Sequence, residues 1–125
     1  MVQERVASRP GFDVVCKNES FKCAFITLSD QYAYGKITTM KRHNESDEVF
    51  VLVKGKATLV TGDVDRREYI MTELKKGISY CVPAGTLHYL AVSEDALVFV
   101  TENSQVSAEN TDAINIENQH LSVEE

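Results

Sequence analysis

From Phe12 to Thr101 no stretch of ten or more residues repeats its apolar positions at the helical period. Short apolar or alternating runs follow one another instead, near 12–16, 22–28, 34–42, 48–54, 56–62, 67–74, 78–82, 87–92 and 96–101. They are rich in Val, Ile, Thr, Tyr and Phe, the residues that suit a pleated, half-buried strand. Turn residues interrupt them at Lys54-Gly55-Lys56, Thr61-Gly62-Asp63-Val64-Asp65, Lys75-Lys76-Gly77 and Pro83-Ala84-Gly85. Many short strands at this spacing predict an all-β sandwich or barrel. With 125 residues the chain has room for one domain with a real core.

Alternation along each run decides which side chains share a face. Through 35–43, Ile37, Thr39, Lys41 and His43 point one way. Through 48–54, Glu48, Phe50 and Leu52 share one face and Val49, Val51 and Val53 the other, so this strand is predicted to be interior. Through 88–92, His88, Leu90 and Val92 share a face. Two histidines and a carboxylate, each near a strand end beside apolar neighbours, form a candidate ligand set. Lys41, Phe50, Tyr80 and Leu90 are candidates for the walls of a substrate pocket around it. Tyr34 and Tyr89 could bring hydroxyls, but packing is the simpler reading for both.

The spacing of these residues resembles the two motifs of the cupins. The first motif is matched from Gly35 through Lys41-Arg42-His43 and Glu48 to Gly55, the second from Gly77 through Pro83-Ala84-Gly85 and His88 to Val92. The resemblance covers 35–92 directly and about 12–102 by strand count. It implies an antiparallel jelly-roll β-barrel whose inward residues hold a divalent metal. Carried over residue by residue, His43, Glu48 and His88 fall on ligand positions. Lys41 stands where the family has its first histidine, and Val92 where it has a final asparagine.

Lys41 leaves two readings open. An ammonium about 5 Å from a divalent ion would cost roughly 6–7 kcal/mol at an effective dielectric of about 20, comparable to a micromolar binding free energy. If Lys41 turns outward, His43, Glu48 and His88 make a two-histidine, one-carboxylate site suited to Fe, Mn, Ni or Zn. A metal-dependent oxygenase, isomerase or lyase acting on a small polar molecule would follow. If it stays inside, Lys41, His43 and His88 make a metal-free pocket for a small anion or sugar. A barrel with a purely structural role is the third possibility.

The net charge of −6 is unevenly spread. Acidic and basic side chains balance through Thr101, and the excess lies in Glu102, Glu109, Asp112, Glu117, Glu124 and Glu125. A neutral body of this kind has no electrostatic footprint for nucleic acid. No apolar run approaches the ~20 residues of a membrane helix, and the first residues lack the apolar core of a secretory leader, so the cytoplasm is the expected compartment. Residues 1–11 read as an arm, 12–102 as the barrel, and 103–125 as an acidic tail. The tail is either disordered or docked through Ala113, Ile114 and Ile116, with another subunit as one host. Its His120 reads as solvated, as does the Arg66-Arg67 pair. Valine-rich faces and open edges, with the cupin resemblance, lead us to expect a homodimer. Cys16, Cys23 and Cys81 contain no CxxC pair and are expected to be reduced, buried thiols.

Overall fold

The computed structural model describes residues 1–125 and contains twelve strands, all of whose pairings are antiparallel. They are β1 (Gly11–Lys17), β2 (Phe21–Thr27), β3 (Gly35–Lys36), β4 (Thr39–His43), β5 (Glu48–Lys54) and β6 (Ala57–Asp63). After them come β7 (Glu68–Glu73), β8 (Ser79–Val82), β9 (Leu87–Val92), β10 (Leu97–Asn103), β11 (Thr111–Asn115) and β12 (Ser122–Val123). One sheet has the order β1-β2-β10-β5-β8 and the other β11-β4-β9-β6-β7, with β12 and β3 forming a small third ladder. The strand count predicts such a pair of packed sheets, and the cupin resemblance implies this jelly-roll arrangement.

The main core lies between the two large sheets. Alternation puts Phe50 and Leu52 of β5, Leu90 and Val92 of β9, and Val98 and Val100 of β10 into it, all at most 4% exposed. A second apolar layer covers the back of the second sheet, where Met40, Val60, Leu87 and Ala91 meet Ile37, Ile116 and Val123. Tyr34 and Tyr89 pack at this layer, bonded to the Thr58 hydroxyl and the Ala33 carbonyl. They face away from the ligand set.

Residues 103–125 are therefore structural. β11 pairs with β4 along its full length and β12 with β3, which seats Ile116 and Val123 on the second apolar layer. The alternating Ile114 and Ile116 do dock, but on their own chain. At 61–63 the expected loop is strand: the β6–β7 ladder continues through Asp63, and Gly62 sits directly opposite Tyr69 with no room for a Cβ. The reversal falls at 64–67, where the Asp63 carboxylate accepts the N–H groups of Asp65 and Arg66. The expectation of buried thiols fails: Cys16 and Cys81 are exposed and Cys23 is half-buried. All three lie on the outer face of the first sheet, away from both cores.

Candidate metal centre

Three strands meet at one mouth of the barrel. β4 ends on His43, β5 begins on Glu48, and β9 carries His88 as its second residue. Two hydrogen bonds tie the motifs together there: the Gly85 N–H donates to the His43 carbonyl at 2.8 Å and the Ala84 N–H to the Asp47 carboxylate at 2.9 Å. Gly85 adopts φ +84°, which an L side chain would strain, so the turn that delivers His88 needs glycine.

His43 Nε2 lies 3.3 Å and His88 Nε2 3.0 Å from the same oxygen, Glu48 Oε1. One donor atom from each of the three residues falls within 4.8 Å of the other two. Glu48 is 5% and His88 7% exposed. Neither ring is aligned to donate a good hydrogen bond, so Oε1 is a buried oxygen without a hydrogen-bond partner. Each ring is instead oriented through its other nitrogen. His88 Nδ1–H donates to the Thr86 carbonyl at 3.0 Å, and His43 Nδ1 meets the Thr111 hydroxyl at 2.8 Å. In neutral His88 the carbonyl can only accept, which leaves Nε2 as a lone pair turned inward, the form a metal ligand requires; His43 takes the same form when its Nδ1–H donates to the Thr111 hydroxyl.

The donor set fits a divalent transition ion. Bonds of about 2.1 Å to one ion place neighbouring donors about 3.0–3.4 Å apart for right-angle to tetrahedral arrangements, and the two N···O separations fall in or at that range. Burial would raise the Glu48 carboxyl, but its contacts with His43, His88 and Glu102 outweigh burial and hold it well below the usual range. Burial would also lower the His88 imidazolium, and its contact with Glu48 outweighs that and raises it. Protons and a divalent ion would therefore compete for this one centre.

Phe50 and Leu90 form the floor beneath the ligands, with the Phe50 ring edge-on to His88 at 6.2 Å. Lys41 lies directly opposite His88 in the β4–β9 pair, so both Cβ atoms leave the sheet on the same side. The Lys41 side chain nonetheless reaches solvent. Tyr80 packs against the main core and accepts the Lys75 N–H at 2.9 Å, which commits its hydroxyl to the β7–β8 connection.

Four residues at the site escape the motif reading. Glu102 of β10 pairs directly with Glu48, and Lys22 of β2 pairs with Glu102, its Nζ 3.2 Å from the Glu102 carboxylate. Burial and the neighbouring Glu48 push the Glu102 carboxyl up to about 8, with Lys22 partly offsetting them. Tyr32 packs on the main core, and burial, with the charges of Glu48 and Glu102, raises its phenol. Thr111 comes from the segment expected to be a tail. The parity of Val98, Val100 and Glu102 is a signal that could have placed Glu102 inside; no comparable pattern marks Thr111.

No protein-family model matches the sequence, and no curated protein matches it. Solved structures do. An RmlC-like cupin protein from Desulfovibrio desulfuricans is 21% identical, with a TM-score of 0.60 over 83% of this chain and 97% of the other. A cupin-2 domain-containing protein from Shewanella frigidimarina is 19% identical, with a TM-score of 0.55 over 74% and 79%. Oxalate decarboxylase from Bacillus subtilis is 15% identical, with a TM-score of 0.56 over 78% of this chain and 24% of the other. The chain has the fold of a small cupin domain. At these identities the likeness reaches the fold and stops there. No helix of the chain is long and apolar enough to cross a membrane.

Proposed function

We propose that this protein binds one divalent transition ion, Fe, Mn, Ni or Zn, through His43 Nε2, Glu48 and His88 Nε2, and that it takes a small polar molecule at the same centre. The observation that carries this reading is the convergence of two oriented imidazoles on one buried carboxylate oxygen that has no hydrogen-bond partner. Three protein donors leave coordination positions open to a ligand. When bound, the ion supplies Lewis acidity to that ligand. Glu48 brings the negative charge, Thr86 and Thr111 hold the rings in register, and Phe50 and Leu90 keep water from beneath. The metal-free anion pocket of Lys41, His43 and His88 is the weaker reading, because an anion between the histidines would face the ionised Glu48.

The test is elemental analysis by plasma mass spectrometry of protein purified without a histidine tag, against a His43→Ala, His88→Ala control. We expect about one equivalent of one of the four metals per chain in the wild type and under about a tenth in the double variant. A wild type that stays under a tenth after anaerobic reconstitution with each metal overturns the proposal and leaves the anion pocket to be tested.

A further inference from the structure

Strand β1 carries a bulge, and the bulge makes a thiol pair. Val14 lies opposite Ala24, and a register shift follows, after which Cys16 lies opposite Cys23. Without the extra residue the register of Val14 would continue, placing Cys16 opposite Lys22 and Val15 opposite Cys23. Directly opposed residues of an antiparallel pair have Cα atoms about 4.5 or 5.5 Å apart, inside the range of about 4.4–6.8 Å that a disulfide spans. Cys16 is exposed, and β1 is the edge strand of its sheet, free on its other side to adjust. Cys23 is half-buried, its thiol turned onto the Thr101 hydroxyl at 3.5 Å, and one rotation about χ1 turns it back toward β1. Cys81 lies three strand spacings from Cys23 along the row Cys23, Thr101, Val49, Cys81, about 14 Å away and out of reach.

We propose that Cys16 and Cys23 form a cross-strand dithiol that low-molecular-weight disulfides of the glutathione type oxidise reversibly. The Cys16 thiolate attacks one sulfur of the small disulfide, forming a mixed disulfide and releasing one small thiolate. Cys23, having lost its proton to solvent, then attacks the Cys16 sulfur, forms the Cys16–Cys23 bond and expels the second small thiolate. One small disulfide is reduced to two thiols and two protein thiols are oxidised to one disulfide, so electrons and protons balance. The closed form would fasten the β1–β2 hairpin beside Lys22, whose ammonium contacts Glu102 at the mouth. The inference does not depend on a metal at His43, Glu48 and His88.

The test incubates the native chain with oxidised glutathione, followed by intact-mass and peptide mapping, with thiols counted by a chromogenic disulfide. The wild type is expected to lose two of its three thiols, become about 2 Da lighter and yield one cross-linked peptide pair joining Cys16 to Cys23. Dithiothreitol should restore it. A Cys81→Ser variant should behave alike but retain no thiol, whereas Cys23→Ser should stop at a Cys16 adduct about 305 Da heavier. A stable glutathione adduct on Cys16 of the wild type with Cys23 still free, or chains cross-linked to one another, overturns the proposal.

Discussion

Glu102 faces Glu48 across the β5–β10 pair, and two like charges directly opposed in a buried row repel one another. The proton that relieves this sits on Glu102, whose carboxyl rises from an ordinary value near 4.5 to about 8, while Glu48 stays ionised between the histidines. A raised acid binds its proton more tightly in the folded state. Its contribution to stability is therefore complete below the unfolded value of about 4.5 and is lost as pH rises through about 8. A Glu102→Gln variant keeps the shape and removes the titration. In chelator-treated protein its unfolding free energy, relative to wild type, should increase by about 2 kcal/mol between pH 6 and pH 9. Urea melts at the two pH values measure this, and a difference that does not change with pH would show that Glu102 ionises normally. At this scale the sequence is readable wherever parity holds. Glu48, His88, Phe50 and Leu90 all point where alternation puts them. Cys16 does not follow β1 parity, because a bulge resets the count and leaves no compositional mark.

The strands of the barrel are legible for a related reason. Each is short, β-branched and closed by a turn whose residues are visible, and glycines with positive φ stand at Gly35, Gly55, Gly77 and Gly85, the bounds of the two motifs and the turn before His88. Strand β11 is the opposite case: its residues, Thr111 to Asn115, are mostly polar because only Ile114 has an apolar surface to meet. Nothing local distinguishes such an edge strand from a disordered tail. The segment nevertheless performs two separable tasks, and substitutions should separate them. Ile116→Ala removes a fully buried side chain and should cost about 2–5 kcal/mol of stability. Thr111→Val removes the hydroxyl partner of His43 Nδ1 and should weaken metal binding about 10–100-fold with little change in stability. Competition with a chromophoric chelator and thermal melts, run on both variants, check the pair. An Ile116→Ala effect confined to metal affinity would contradict the division of labour.

For the whole molecule, the ion and the fold stabilise one another if the site binds only when the strands are assembled. At free metal about 100 times Kd the native state gains about 2.7 kcal/mol, which for a domain of this size raises Tm by roughly 10 °C. Chelation should remove that increment from the wild type and leave His88→Ala unchanged, as read by calorimetry at one protein concentration; equal shifts in both would place the ion elsewhere. The barrel mouth also has an order of arrival. The hydroxyl that orients His43 comes from a residue 68 positions further along the chain. A ribosome has made both imidazoles and the carboxylate by position 88, and Thr111 is the 23rd residue added after that. The nascent polypeptide holds every atom of the proposed ligand set while it still lacks the group that aims one of them, so its site is complete in composition before it is complete in geometry.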